Sequence, residues 1–340
     1  MPIDIVWCDR GAPNLDQFQN LFSIIAVTVM AFAMGFAIRR GSVCLVDASQ
    51  RAVVKGKTLK LRSFAIAAGA AGVIIIPAAW AAPNLVALYP EGPITLKLCG
   101  GAALFAIGAR FNGGCAFGTL SRLSGGQLRY LGTVLGAIAG AMLINQSPPL
   151  VADRMYVQQN SWAGLAAFGL CGLAVWPALK RVTFKNVAAS VVRKDTLLRP
   201  TGAMLVIGCL GGTLFAFAQS WTYLSVLSSE GRFIFGMTGE TVGARPLAAS
   251  GALVAGAVFA AFRSGRFSPR WASVSQLTRH GIGGIAMGAG AAMVPGSNGV
   301  LVLYGVPSLS LSAITAYAVM SVVLLATFLP ERFRQKRARK

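Results

Sequence analysis

Two cysteines that lie next to glycine-containing breaks have the clearest potential for chemistry in this sequence. Cys44 ends the segment Gly41-Ser42-Val43-Cys44, and Cys115 comes directly after Gly113-Gly114. A thiol offers a weak S–H donor and a polarisable sulfur atom, so it can contact a solute without holding it tightly. A buried cysteine without such a break is usually a small apolar residue. We interpret three others in that way: Cys99, Cys171 and Cys209.

A second break, about 180 residues after the first, carries a hydroxyl and an amide in place of the thiol. It reads Pro295-Gly296-Ser297-Asn298-Gly299. A half-helix that starts at such a break directs free backbone N–H groups and the positive end of its dipole into the membrane interior, where they can hold an anion. We therefore expect these residues to line a substrate path: Gly113, Gly114, Gly296, Ser297 and Asn298.

Two further breaks are predicted after the first and sixth apolar runs. The first-half break precedes Cys44, and its counterpart is predicted at Phe235-Gly236-Met237-Thr238-Gly239-Glu240. Charged residues near the breaks could steer or gate an anion, because charge near a membrane core is costly and often functional. The candidates are Arg110, Arg122, Glu240 and Arg245. Inside-positive anchoring is an equal alternative for the first two, and an ion pair is an alternative for the last two.

The elements that position these residues are predicted to be membrane helices. Only 12% of the residues are charged, 55% are hydrophobic and the mean hydropathy is +0.64. Apolar runs of roughly 17–22 residues match the ~30 Å hydrocarbon core. The sequence predicts about nine transmembrane helices, at residues 21–38, 63–81, 94–110, 127–145, 161–178, 201–219, 247–263, 280–294 and 308–329.

The basic residues lie in short blocks between these runs, which predicts the orientation of the chain. The blocks at 39–62, 179–200 and 263–279, with the C-terminal tail, fall on one side of a nine-span protein. Excess Lys and Arg mark the cytoplasmic side. We expect a bacterial inner-membrane protein with a periplasmic N-terminus, which includes Cys8, and a cytoplasmic C-terminus. A nucleic-acid binder would gather its charge on one face, so the net charge of +21 does not predict nucleic-acid binding.

The chain also contains an internal similarity. Ala106-Ile-Gly-Ala109 precedes the first Gly-Gly break, and Ala286-Met-Gly-Ala289 precedes the second. One predicted span runs inward and the other outward, so we predict an all-α membrane protein of two inverted halves with re-entrant, Gly-broken half-helices. The predicted parts are an external segment 1–20, a first half 21–145, a connector 146–200, a second half 201–329 and a basic tail 330–340.

The segment Gly108-Ala-Arg-Phe-Asn-Gly-Gly-Cys-Ala-Phe-Gly-Thr-Leu-Ser-Arg-Leu-Ser-Gly-Gly126 closely resembles the Gly-Gly-Cys signature of the YeeE/YedE sulfur-transport family. The resemblance covers roughly residues 21–329. It implies an inner-membrane thiosulfate importer in which cysteines on broken segments contact the substrate sulfur, and Cys44 and Cys115 match two of those positions. Ser297 stands where the family normally has a cysteine, which leaves the exact anion open.

We therefore expect import of thiosulfate or a related small sulfur-containing anion, without enzymatic activity. Two alternatives stay open, a membrane thiol or sulfur-relay redox enzyme using Cys44 and Cys115, and a carrier for another small anion. No C-x-x-C and no metal-ligand spacing around the single histidine is present, so we expect no metal and no cofactor. Expected partners are the sulfur oxyanion, membrane lipid and a cytoplasmic sulfur carrier or sulfurtransferase.

Overall fold

The computed structural model describes residues 15–83, 85–86, 88–144, 162–181, 199–218, 222–237, 241–294 and 296–338. Within these ranges the protein is helical, with one isolated backbone bridge between Gln127 and Arg270. The helices are α1 Leu15–Gly41, α2 Leu45–Lys55, α3 Leu59–Ala81, α4 Leu96–Asn112, α5 Ala116–Leu123, α6 Tyr130–Leu143, α7 Trp162–Arg181, α8 Pro200–Ala218, α9 Tyr223–Ile234, α10 Ala244–Arg263, α11 Val274–Met293, α12 Asn298–Gly305, α13 Leu311–Ala326 and α14 Leu329–Arg337.

The prediction of an all-helical membrane protein is confirmed. In the described ranges six helices are long and apolar enough to cross a bilayer, namely α1, α3, α7, α8, α10 and α13. A seventh span results if α11 and α12, which meet at a 47° bend, are counted as one broken span. Each of the nine predicted segments contains a helix, although α4 and α6 have only 17 and 14 residues.

Glycines allow several helix pairs to approach backbone to backbone. A Cβ atom added at Gly132, Gly136 or Gly140 on α6 would overlap a carbonyl oxygen of α11. Gly35 on α1 and Gly256 on α10 make the same kind of close approach to each other's helices. Small residues drive membrane-helix packing because they bring backbones into van der Waals contact. These contacts pack the helices of each pair closely against each other.

The order of helix lengths occurs twice along the chain. Helices α1–α6 and α8–α13 each follow the order long, short, long, long, short, long, although the last helix of the first set, α6, has only 14 residues. The contacts correspond as well. The first helix of each set packs on the third helix of the other set, α1 on α10 and α8 on α3. Likewise the sixth helix of each set packs on the fourth helix of the other, α6 on α11 and α13 on α4. Helix α7 lies between the two sets in the sequence and packs on α3 and α8.

The basic segments predicted to share one side do contact one another, and we call this region the basic end. It contains the 39–62 and 263–279 segments and helix α14. Arg39 donates to the carbonyl oxygens of Ser121 and Arg266 at 3.0 and 3.1 Å. Helix α14 packs on α2, and its Glu331 pairs with Arg110 at the end of α4. Most of the basic block at 179–200 lies outside the described residues.

The other end of the bundle, which we call the far end, is held by contacts of a different kind. Glu91 accepts from the backbone N–H groups of Leu311 and Ser312 at 3.1 and 3.0 Å, at the start of α13. Arg232 donates to the carbonyl oxygens of Ala141 and Ile144 at 2.5 and 2.7 Å, which ties α9 to the end of α6. Both contacts satisfy backbone groups at helix ends that have no partner within their own helix.

Two local predictions from the sequence were wrong. Helix α11 begins at Val274, six residues before the predicted start at 280, because its polar first turns escape a hydropathy reading. His280 lies in the second turn of this helix, and its side chain is buried. The break after the sixth span was predicted at residues 235–240, but the short helix α9 already starts at Tyr223 and ends at Ile234, directly before that segment.

Candidate functional site

In the described part of the chain, four short helices begin close to one another, and three of their N-cap residues are buried. They are the second and fifth helices of each set, and their N-cap residues are Cys44, Cys115, Thr222 and Ser297. The backbone at all four positions is extended, as expected for an N-cap. Each N-terminus leaves backbone N–H groups without an acceptor in its own helix.

Helix α5 connects these four N-termini. The backbone N–H of Leu45 on α2 donates to the Sγ atom of Cys115 at 3.4 Å. The hydroxyl of Tyr223 on α9 donates to the carbonyl oxygen of Ala116 at 2.9 Å. The ring of Phe117 packs against Gly299 on α12, where an added Cβ would lie 2.8 Å from the ring. The first turn of α5 thus contacts the starts of the other three helices.

The two cysteines beside the breaks lie next to each other. Their Sγ atoms are 3.9 Å apart, and the residues are 5% and 1% exposed. This separation is well beyond the ~2.05 Å of a disulfide bond, so both are free thiols. Gly118, one turn into α5, leaves room for Cys44, since an added Cβ would lie 2.6 Å from that sulfur. The pair presents two soft sulfur atoms at one point.

The second broken segment buries polar groups that have no partner. Ser297 is 4% exposed and Asn298 is fully buried. The Ser297 hydroxyl and both polar atoms of the Asn298 amide lack a hydrogen bond within the described chain. Leaving a buried polar group unpaired costs about 1–3 kcal/mol. Gly296 has a φ of +140°, a conformation that a residue with a side chain rarely adopts.

A cavity of about 370 Å³ lies beside this segment, between α6, α9, α11 and α12. Its wall includes Gly296 and Ser297, and it borders Ala141 and Val242 of the far end. Five hydroxyl-bearing residues line it: Thr222, Ser225, Ser228, Ser229 and Ser297. Most of the remaining wall is apolar. The cavity therefore offers neutral hydrogen-bonding groups to a small solute.

A polar network that sequence reasoning missed supports the first broken segment. The Asn112 side-chain amide donates to the carbonyl oxygen of Gly114 at 2.8 Å and to the Thr119 hydroxyl at 3.2 Å. Its oxygen accepts from Thr133 at 2.6 Å and lies 2.6 Å from His280 Nδ1. These contacts fix the loop that carries Cys115. The only signal in the sequence was an asparagine directly before two glycines.

The charged candidates occupy different surroundings. Arg122 donates to the carbonyl oxygen of Gly113 at 2.5 Å and to the Tyr130 hydroxyl, so it supports the first break from the basic end. Arg110 pairs with Glu331 and lies over the Phe328 ring, which fits anchoring better than steering. Arg245 is exposed in the first turn of α10. Glu240 and Cys8 lie outside the described residues.

The N-terminus of α9 is a second feature that the sequence analysis missed. Thr222 accepts from the backbone N–H of Ser225 at 3.0 Å, while the Ser225 hydroxyl accepts from the backbone N–H of Thr222 at 2.8 Å. This reciprocal pairing is a capping box, and the spacing Thr-x-x-Ser was visible in the sequence. This spacing would have placed the start of α9 correctly.

In the described residues no group of three His, Cys, Asp or Glu side chains could hold a metal ion.

Comparison with known protein families assigns the chain to a class of membrane transport proteins. The sequence model described as Sulphur transport matches residues 40–325, which includes both broken segments. The chain belongs to this sulphur transport family, and the predicted resemblance is confirmed. No curated protein sequence matches the chain.

Proposed function

We propose that this protein imports thiosulfate or a closely related small sulfur-containing anion along a central path where the four short helices begin. The observation that carries this proposal is the meeting of two free thiols with helix N-termini, beside a serine and an asparagine whose polar atoms are buried and unpartnered. Membership of the sulphur transport family supports a sulfur-bearing solute.

The chemistry of the path suits an anion with one soft and one hard end. Thiosulfate has a terminal sulfur atom and three oxygen atoms. The thiols of Cys44 and Cys115 present polarisable sulfur to the soft end, and the hydroxyl of Ser297 and the amide of Asn298 can donate to the oxygen atoms. Helix N-termini favour the negative charge without a fixed cation. Neutral donors bind weakly enough to let a transported ion leave.

The path is proposed to run between two inverted halves, residues 21–145 and 201–329, joined by the 146–200 connector that contains α7. Three features support this arrangement. The order of helix lengths repeats, and the contacts between helices correspond when the two sets are exchanged. Helix α2 packs on α14 and α5 contacts Arg39 of the basic end, whereas the end of α9 is bonded to the end of α6. Inverted repeats with discontinuous helices are common in secondary transporters.

The same arrangement gives a proposed orientation with nine spans. The basic end would face the cytoplasm of a bacterial cell and the far end the periplasm, because excess Lys and Arg mark the inner side. The N-terminus would then be periplasmic and the C-terminus cytoplasmic. The 370 Å³ cavity, which borders the far end, would be the external vestibule of the path.

Import of a dianion needs a driving force. Moving two negative charges inward against a potential of 100 mV costs about 4.6 kcal/mol, twice the value for one charge. Import therefore needs a steep gradient, proton coupling or a partner that consumes the solute. We propose that a cytoplasmic sulfur carrier or sulfurtransferase consumes the solute and keeps its inner concentration low.

The direct test is uptake of radiolabelled thiosulfate by liposomes that contain the purified protein. Unlabelled thiosulfate should compete strongly, and phosphate and chloride should compete weakly. Cys115→Ala should lose most of the uptake, whereas Cys99→Ala, a matched thiol loss on helix α4, should keep it. Equal competition by all anions, or normal uptake by Cys115→Ala, would contradict the proposal.

One observation favours a second candidate function, a sulfur-relay enzyme. With thiosulfate as the donor, one thiolate would attack the terminal sulfur, break the sulfur–sulfur bond, release sulfite and become a persulfide. The 3.9 Å between the sulfur atoms of Cys44 and Cys115 lets the second thiol then attack the outer persulfide sulfur, which passes that sulfur on and frees the first thiol. Measuring the sulfite released per thiosulfate consumed distinguishes the two functions, because a transporter releases none.

A further inference from the structure

A small polar cavity lies at the basic end, away from the four short-helix N-termini. It has a volume of about 220 Å³. It forms where the loop after α5 meets the loop before α11, and five residues line it: Gln127, Arg129, Arg270, Trp271 and Gln276. Two arginines, two glutamine amides and one indole therefore face a space too small for a macromolecule.

The backbone fixes the two loops against each other. The N–H of Arg270 donates to the carbonyl oxygen of Gly126 at 2.8 Å, and the N–H of Leu128 donates to the carbonyl oxygen of Arg270 at 3.2 Å. Gly126 has a φ of +93°, and a Cβ there would lie 2.6 Å from the carbonyl oxygen of Ser268. The cavity is therefore a fixed part of the fold.

The positive charge in this cavity is not neutralised by the described part of the chain. The ion pairs among the described residues are Asp47 with Arg51, Asp47 with Lys60, and Arg110 with Glu331. None involves Arg129 or Arg270. Arg129 donates to the Gln127 side-chain oxygen at 3.0 Å. Two guanidinium groups that line one small cavity without a carboxylate partner favour an anionic ligand.

We propose that this cavity binds a tetrahedral oxyanion. Guanidinium groups present several N–H donors in a geometry that matches phosphate and related oxyanions, and side-chain amides add neutral donors. The oxyanion could be a free sulfur or phosphorus oxyanion, or the phosphate of an anionic lipid headgroup, since Trp271 is 87% exposed beside the site. The proposal goes beyond anion import and holds whichever anion the central path carries.

The site is connected to the first broken segment by direct contacts. The Arg129 guanidinium lies 5.4 Å from the centre of the Tyr130 ring. The Tyr130 hydroxyl accepts from Arg122, which also donates to the carbonyl oxygen of Gly113, two residues before Cys115. The side chains of Arg129, Tyr130 and Arg122 thus link a bound oxyanion to the loop that carries Cys115.

The test uses the fluorescence of Trp271 in the purified full chain, placed in nanodiscs of zwitterionic phosphatidylcholine. Inorganic phosphate and thiosulfate are titrated against sodium chloride at matched ionic strength. We expect a saturable change that Trp271→Phe removes. Arg270→Gln should raise the half-saturation concentration about tenfold, which corresponds to 1.4 kcal/mol. The exposed Arg279→Gln, which removes a nearby charge outside the cavity, should leave it unchanged.

The two sources of the oxyanion are separated by repeating the titration with anionic phosphatidylglycerol in the nanodiscs. An occupying lipid phosphate would raise the half-saturation concentration for inorganic phosphate about tenfold, whereas an unchanged titration identifies the free anion as the ligand. Either result supports the site. A response that does not saturate, or one that Arg270→Gln leaves unchanged while the variant unfolds at the wild-type temperature, overturns the proposal.

Discussion

Replacing Ser297 with alanine should weaken transport without destabilising the protein. The Ser297 side chain is 4% exposed, and its hydroxyl has no partner in the described chain. An unpaired buried hydroxyl costs about 1–3 kcal/mol, so Ser297→Ala should leave the free energy of unfolding unchanged or raise it by about 1 kcal/mol. If the hydroxyl donates to the substrate, the same change should remove about 1 kcal/mol of binding, which raises KM about fivefold.

Ser310 provides a matched control. It is also a buried N-cap serine, 2% exposed, but its hydroxyl accepts from the backbone N–H of Ala313 at 3.2 Å. Ser310→Ala should therefore destabilise the protein by about 0.5–2 kcal/mol and leave KM unchanged. Thermal unfolding in detergent and concentration-dependent uptake in liposomes measure the two effects. Ser297→Ala behaving like Ser310→Ala would refute the assignment of this hydroxyl to the path.

Four other predictions concern the path and the topology. Cys115→Ala should cut uptake at least tenfold at normal protein levels because it removes one of the two central thiols, whereas Cys99→Ala should transport almost normally. Ser297→Cys should be tolerated and shift preference several-fold toward thiosulfate over sulfate in parallel uptake assays, since one hydrogen bond is worth about 1 kcal/mol. Ser297→Leu should block uptake, and normal transport by that variant would make the break a packing feature only. A reporter fused after Lys340 should be active in the cytoplasm and one inserted within 82–93 outside, and reporting from the same side would contradict the inverted halves.

The long helices and the first broken segment could be predicted because their signals are local. Apolar runs mark the helices, and Gly113-Gly114 marks the point where α4 ends and α5 begins. Gly113 has a φ of +74° at this turn, which favours glycine. The contact between the 39–62 and 263–279 segments was predictable too, since the loop alternation puts both on one side.

The features that escaped prediction depend on residues far apart in the sequence. Asn112 and His280 are 168 positions apart and meet only because α4 packs on α11. The pairing of Cys44 with Cys115 likewise depends on how α2 and α5 pack. The start of α9 at Tyr223 was local and readable from its capping box, but hydropathy does not detect capping.

The central claim is that a whole sulfur anion passes the two thiols without a bond being broken. Thiosulfate can be labelled either on its terminal sulfur or on its central sulfur, and the uptake of each form by liposomes containing the purified protein can be compared. The account predicts that both labels enter at the same rate and that Cys115→Ala slows both equally. Entry or retention of one label alone, with the other released outside, would show that the sulfur–sulfur bond is cleaved and would contradict it.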